Sequence, residues 1–201
     1  MALSVAIDFT ESNLDPSNPA SLHNADPAKN QYLQALQAVG SVLEPYDSDK
    51  KIPCFGFGGI PTFLPDKNPA QFTHCFPLNA NPEDPEIDGL AQLIKTYLTR
   101  VGQVRQSGPT RFAPVLREFI KSAQKLSFHN TTFNVLLMLT DGDIHDMRET
   151  KSLIVAASEL PVSIVIVGLG QAESFKNMDI LDSDDFLLRD DFGKVAKRDI
   201  V

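Results

Sequence analysis

Asp8, Thr10 and Ser12 stand at alternate positions just after the apolar run Leu3–Ile7, and a second apolar run, Val135–Leu139, ends in Thr140-Asp141-Gly142. Carboxylates and hydroxyls are hard oxygen ligands, the kind Mg²⁺ takes in near-octahedral geometry while keeping some of its waters. Histidine and cysteine are not needed for such a site. Extended backbone alternates its side chains with period two, so Asp8, Thr10 and Ser12 point the same way if the chain stays extended past the first run. Neutral hydroxyls with few carboxylates leave a divalent cation under-compensated and able to accept an acidic group from outside. The chemistry that suits these residues is metal binding followed by ligand capture.

Residues so far apart in sequence need strand ends to bring them together. Leu3–Phe9 is short, apolar and β-branched, the pattern of a central strand covered on both faces. Glu11–Asn30 is rich in Pro, Asn, Asp and Ser, which favour turns, and then Leu33, Leu36, Gly40 and Leu43 mark one face of a helix that stops at Pro45. Ile52–Gly58 reads as a second strand and Phe72–Leu78 as a weaker edge strand. Leu90, Leu93, Ile94, Leu98 and Val101 give helical spacing over Ile87–Val104, and Leu116, Phe119, Ile120 and Ala123 do so over Pro114–Leu126. Asn134–Leu139 is the clearest buried strand. A helix with Leu153, Ile154, Ala157 and Leu160 inward follows and ends at Pro161. Val162–Gly168 is the next strand, and a short helix near Phe175–Leu181 precedes an acidic tail. This alternation predicts an α/β fold: a doubly wound, mostly parallel central sheet flanked by helices on both faces, with one short antiparallel edge strand. In such sheets ligands bind outside the carboxyl ends of the strands, often where strand order reverses. Asp8 and Asp141 both fall there.

Composition excludes several classes. A length of 201 residues fits one domain over residues 1–201, and 42% apolar residues without low-complexity tracts describe a folded globule. A net charge of −8 argues against a nucleic-acid binder, which relies on clustered Lys and Arg, and against unaided docking on anionic lipid. The only cysteines, Cys54 and Cys75, lack zinc-module spacing and read as buried thiols in a reducing, cytoplasmic setting. No apolar stretch approaches the roughly 20 residues that cross a bilayer. A first strand that begins almost at residue 1 and an end at Arg198-Asp199-Ile200-Val201 describe a domain excised from a longer protein.

The ordered set Asp8-Phe9-Thr10-Glu11-Ser12, Gly108-Pro109-Thr110 before a helix, and Leu139-Thr140-Asp141-Gly142 after a central strand is a von Willebrand factor A pattern. More specifically, the chain resembles the A domain of a copine. The resemblance is carried by Ser21-Leu22-His23, Asn30-Gln31-Tyr32-Leu33, Tyr46-Asp47-Ser48-Asp49-Lys50, Phe55-Gly56-Phe57-Gly58, Gly108–Pro114, Ala157–Pro161 and Arg198–Val201 in addition to that set. It implies a metal-ion-dependent adhesion site in which Asp8, Thr10, Ser12, Thr110 and Asp141 match the five ligand positions, Asp8 and Asp141 acting directly or through water. It also implies Mg²⁺, with Mn²⁺ or Ca²⁺ as substitutes, and a non-enzymatic module that binds intracellular target proteins. An acidic residue of the target would complete the metal shell. The family further implies calcium-dependent recruitment of the whole protein to membranes, through upstream phospholipid-binding domains that are not in this chain. Two positions depart from the family pattern. Glu11 and Asp143 add carboxylates that, on reaching the ion, would fill its open position or shift its preference toward Ca²⁺.

Other signals are weaker. Gly56-x-Gly58-Gly59 and Gly168-x-Gly170 do not follow the first strand as a dinucleotide fingerprint does, and read as turn or packing glycines. The acidic run Asp179, Asp182, Asp184, Asp185, Asp190 and Asp191 lacks the glycine and glutamate of a calcium loop and reads as a solvated face. His23, His74, His129 and His145 show no metal-ligand spacing. The alternative function is a metal-dependent hydrolase using Asp143 or His145 as base at the same site.

Overall fold

In the computed structural model the chain runs β1 (Ala2–Asp8), α1 (Gln31–Leu43), β2 (Lys51–Phe57), β3 (Gly59–Pro61), β4 (Phe76–Pro77), β5 (Glu86–Asp88), α2 (Gly89–Arg100), β6 (Val104–Gln106), α3 (Ala113–His129), β7 (Asn134–Thr140), α4 (Met147–Ala157) and β8 (Val162–Gly168). The structure describes residues 1–64, 73–129, 132–142, 144–171, 175, 178–182 and 186–201. β1 sits inside the main sheet, whose order is β4-β2-β1-β7-β8. It pairs in parallel with β2 and with β7, and β7 pairs in parallel with β8. β4 and β5 both pair antiparallel with β2. A separate antiparallel ribbon joins β3 to β6.

Period-two alternation distributes the sheet's side chains between two cores. Leu3, Val5 and Ile7 of β1 and Val135, Leu137 and Leu139 of β7 pack with Tyr32, Leu33 and Leu36 of α1 and with Leu90, Leu93 and Tyr97 of α2. Ala6, Leu136 and Met138 pack on the opposite face with Val115, Leu116 and Phe119 of α3 and Ile154 and Val155 of α4. Each fully buried Leu or Phe contributes roughly 1.5–3 kcal/mol of hydrophobic stabilisation before its ordering entropy is set against it. The predicted doubly wound, mostly parallel sheet with helices on both faces is therefore the observed one. Alternation also sends Asp8 to the second face, at the end of β1, where it is wholly buried.

The elements differ from expectation in a few places. The helix expected over Ile87–Val104 is shorter: Ile87 pairs with Ile52 as part of β5, and Gly89 turns the chain into α2 with φ of +68°, which glycine adopts without cost. After Arg100 a single tight turn, Val101–Gln103, leads into β6. The weak strand expected over Phe72–Leu78 is reduced to β4, Phe72 lying outside the described residues. Of the short helix expected over Phe175–Leu181, residues 176–177 lie outside the described residues, and Met178–Leu181 forms hydrogen-bonded turns.

Candidate metal centre

Strand order reverses at β1: the chain goes to β2 on one side and later returns to β7 on the other. Asp8 ends β1 at this reversal, and Asp141 follows the last residue of β7. Asp8 Oδ1 accepts a hydrogen bond from the Thr10 backbone N–H at 2.8 Å, and Oδ2 accepts one from Thr140 Oγ1 at 2.6 Å. Thr10 Oγ1 lies 3.1 Å from Ser12 Oγ and donates to Asp141 Oδ1 at 3.4 Å. The chain does not reach this arrangement by staying extended. Glu11–Asn13 forms a tight turn instead, and Thr10 makes an isolated bridge with Ser107 while Glu11 N–H donates to the Ser107 carbonyl at 2.7 Å. The turn has a physical reason: the Asp8 carboxylate supplies an acceptor for the Thr10 N–H that closes it.

Two neighbours hold Thr10 where it is. Asn13 Nδ2 donates to both the carbonyl and Oγ1 of Thr10, each at 3.2 Å. Gly58, at φ of +74°, lets the end of β2 lie against Thr10: a Cβ on Gly58 would fall 2.2 Å from Thr10 Cγ2. The turn-glycine reading of Gly58 thus has a site-level cause.

Thr110 is buried on the loop between β6 and α3, after a cis Gly108–Pro109 bond. Its side chain has no hydrogen bond to the other four oxygen-bearing residues among the described residues. The Thr110 carbonyl accepts the His145 backbone N–H at 3.0 Å, tying its loop to the one that follows Asp141. Asp146 strengthens that tie. Its two carboxylate oxygens accept the Phe112 and Ala113 backbone N–H groups, each at 3.0 Å, and Thr150 Oγ1 donates to Oδ1 at 3.2 Å. Side-chain hydrogen bonds therefore join Thr10 to Ser12 and Asp141, Asp8 meets them through the Thr10 backbone N–H, and Thr110 is tied through its carbonyl to the loop after Asp141.

Burial pushes the Asp8 carboxyl up to about 7, the Asp141 charge adds to the rise, and the bonds from Thr140 and Thr10 oppose it. Asp141 is also raised by burial, against hydrogen bonds from Ser12 and Thr10. Among the described residues neither carboxylate forms an ion pair with Lys, Arg or His, and no three His, Cys, Asp or Glu side chains converge on one point. A desolvated pair of like charges is costly unless a proton or a cation compensates it. Two carboxylates with surrounding hydroxyls form a donor set suited to Mg²⁺ or Mn²⁺ and poor for the thiolate- and imidazole-loving metals.

Two of the remaining sequence candidates are exposed and engage through their backbone. Glu11 is exposed, and its backbone N–H rather than its carboxylate is engaged. Asp143 lies outside the described residues. His145 is exposed and contributes its backbone N–H to Thr110. Sequence reasoning missed Asn13, Asp146 and His23 as parts of this region. Asp146 had a legible signal, since an aspartate can cap a helix from a distant loop as well as from its own, but nothing local pairs it with residues 112–113. His23 is not a ligand: it is buried against the Asp8 main chain, with Nε2 at 2.7 Å from the Asp8 carbonyl oxygen.

A model of the copine family matches residues 21–201, a span that includes Thr110 and Asp141 and begins after Asp8, Thr10 and Ser12. The manganese-loaded TRAP protein of Plasmodium vivax superposes with a TM-score of 0.53 at 10% identity, over 89% of this chain and 61% of that one. Proximal thread matrix protein 1 of the mussel byssus gives a TM-score of 0.46 at 14% identity, over 85% of this chain and 38% of that one. This chain thus spans less than two thirds of either protein. The likeness to TRAP shows the fold, a von Willebrand factor A-like α/β arrangement.

Proposed function

This chain belongs to the copine family, and from that premise we propose that it is a divalent-metal-dependent protein-interaction module and not an enzyme. It forms one domain over residues 1–201. Asp8, Thr10, Ser12, Thr110 and Asp141 hold the ion, Mg²⁺ in the first instance, with Mn²⁺ or Ca²⁺ as alternatives. An acidic side chain of a target protein completes the shell. One observation carries the reading: Asp8 and Asp141, two carboxylates raised by burial and, among the described residues, without a basic partner, meet around the Thr10 hydroxyl at the reversal of strand order. A bound divalent ion supplies the missing positive charge and a Lewis-acidic position for an incoming carboxylate. The chain's own residues orient that position. Thr140 and the Thr10 backbone aim the Asp8 carboxylate, Asn13 aims Thr10, and Asp146 holds the Thr110 loop.

In the whole protein this module works in the cytoplasm, and membrane recruitment falls to calcium-dependent phospholipid-binding domains upstream. Among the described residues no helix is long and apolar enough to cross a membrane. The test is calorimetric titration of Mg²⁺, Mn²⁺ and Ca²⁺ into metal-free protein, alongside Asp8→Ala and Asp141→Ala. Saturable uptake by the wild type and none by the variants is expected; equal uptake by all three overturns the site. Target capture is then compared with and without chelator, and capture that ignores chelator overturns the mechanism. Turnover on a phosphoesterase panel with Mn²⁺ would favour the hydrolase alternative.

A further inference from the structure

His23 is a fully buried histidine whose ring lies between two aromatic neighbours: Phe9 at a centroid distance of 4.8 Å and 9° to its plane, and Tyr32 at 3.9 Å and 18°. Both stacks fix the plane of the imidazole. Its nitrogens are equally constrained. Nε2 faces the Asp8 carbonyl oxygen at 2.7 Å, and a carbonyl only accepts, so Nε2 carries a proton. Nδ1 lies 2.9 Å from the Tyr97 hydroxyl. That hydroxyl is also 3.0 Å from Asn30 Oδ1, which already accepts the Leu33 N–H at 2.8 Å as the cap of α1. Tyr97 therefore has one proton and two acceptors within reach. It donates that proton to Asn30 Oδ1, and its oxygen stands beside Nδ1.

We infer that His23 is a positioning residue of the metal centre: through its Nε2–H, with the ring held by Phe9 and Tyr32 and the Tyr97 hydroxyl beside Nδ1, it grips the Asp8 main chain and so sets where the Asp8 carboxylate and the Thr10–Ser12 turn stand relative to Asp141. Burial independently disfavours the charged ring, pushing its pKa down to about 3. The same loop is anchored twice more near His23. Ser21 Oγ accepts the His23 N–H at 3.1 Å and lies 3.1 Å from the Asn13 carbonyl, and Leu22 N–H donates to that carbonyl at 3.1 Å. Asn13 in turn donates to Thr10. His23 thus reaches Asp8 through its ring and Thr10 through its main chain, Ser21 and Asn13. Outer partners that orient metal ligands in this way are typically worth ~10–100-fold in metal affinity.

The inference rests on the metal-site reading above, and its test separates the two. A glutamine amide can place a donor near the position of Nε2, an asparagine amide cannot, and phenylalanine keeps the stacking without any donor. Mn²⁺ affinity is measured by calorimetry on His23→Gln, His23→Asn, His23→Phe and Tyr97→Phe, with thermal melting as the folding control. His23→Gln is expected within roughly threefold of wild type, with His23→Asn and His23→Phe about tenfold or more weaker. Tyr97→Phe keeps the ring and is expected to weaken binding by about threefold. Long-range ¹H–¹⁵N spectra of metal-free, histidine-labelled protein should show a His23 that is protonated at Nε2 alone, a readout that holds if a substitution prevents folding. His23→Phe binding like wild type, His23→Gln as weak as His23→Phe, or an Nδ1–H tautomer each overturns the inference and leaves the metal site standing. Wild-type protein that takes up no Mn²⁺ overturns both.

Discussion

Carboxylates gather in two parts of this molecule. At the carboxyl ends of β1 and β7, the buried Asp8 and the partly buried Asp141 come from positions far apart in the chain and meet in a hydroxyl-lined crevice, neither in an ion pair with Lys, Arg or His among the described residues. Toward the end of the chain, Asp179, Asp182, Asp190 and Asp191 lie close in sequence, yet each is either partnered locally or exposed. Asp191 pairs with Lys151 and, at 3.8 Å, with Arg148. Asp190 Oδ1 accepts the backbone N–H groups of Phe192 at 3.0 Å and Lys194 at 2.9 Å, and Asp179 and Asp182 are exposed. The denser acidic sequence therefore makes the weaker candidate. What distinguishes a metal centre is convergence with desolvation, because uncompensated buried charge is what a cation relieves.

The strongest challenge to this comparison is to neutralise one carboxylate in each region. Asp8→Asn is expected to weaken Mn²⁺ binding by roughly 100-fold or more, since a direct or water-bridged anionic ligand is lost, and Asp182→Asn to leave it unchanged. Parallel calorimetric titrations decide it; equal losses would erase the distinction.

Acidity should sharpen it next. The Asp8 pKa rises from an unfolded value of ~3.9 to about 7 in the folded, metal-free protein. Between those values the folded state keeps a proton that the unfolded chain has released. Metal-free stability is therefore greatest at low pH on this account and falls as pH rises through about 7. Metal binding needs the carboxylate, so Mg²⁺ affinity and the Mg²⁺-induced rise in melting temperature should grow over the same interval, with proton release on binding. Melting curves with and without Mg²⁺ across that interval test the sign.

Smaller effects follow from single contacts. Thr10→Val keeps the shape and removes the hydroxyl, and is expected to weaken Mn²⁺ binding about tenfold. Asp146→Ala removes the acceptor of the Phe112 and Ala113 N–H groups and should cost ~1–2 kcal/mol in denaturant unfolding, with a lesser loss of metal affinity through Thr110. Asp191→Asn, breaking half-exposed ion pairs, should cost under ~1 kcal/mol and not alter metal uptake.

The sheet was legible because its strands are short apolar runs at regular intervals: Leu3–Ile7, Val135–Leu139 and Val162–Val167 all lie within observed strands. Ile87 misled because a residue on a helical repeat also fits a strand beside Ile52, and only the pairing partner decides. Asp8, Thr10, Ser12 and Asp141 could be found because strand ends in such a sheet converge, although their convergence uses a turn and not an extended segment. The supports were hidden for a common reason. Asn13, His23, Tyr97 and Asp146 act through contacts whose partners are far away in sequence or are backbone atoms, and neither periodicity nor motif spacing encodes those.

The most direct test of the central claim is the stoichiometry of Mn²⁺ binding to the metal-free wild type at pH 7.5, measured by calorimetry in two buffers of different ionisation enthalpy. The account predicts one saturable site, lost in both Asp8→Asn and Asp141→Asn, with net release of protons on binding. Saturation that persists in either variant, or no uptake by the wild type, would contradict it.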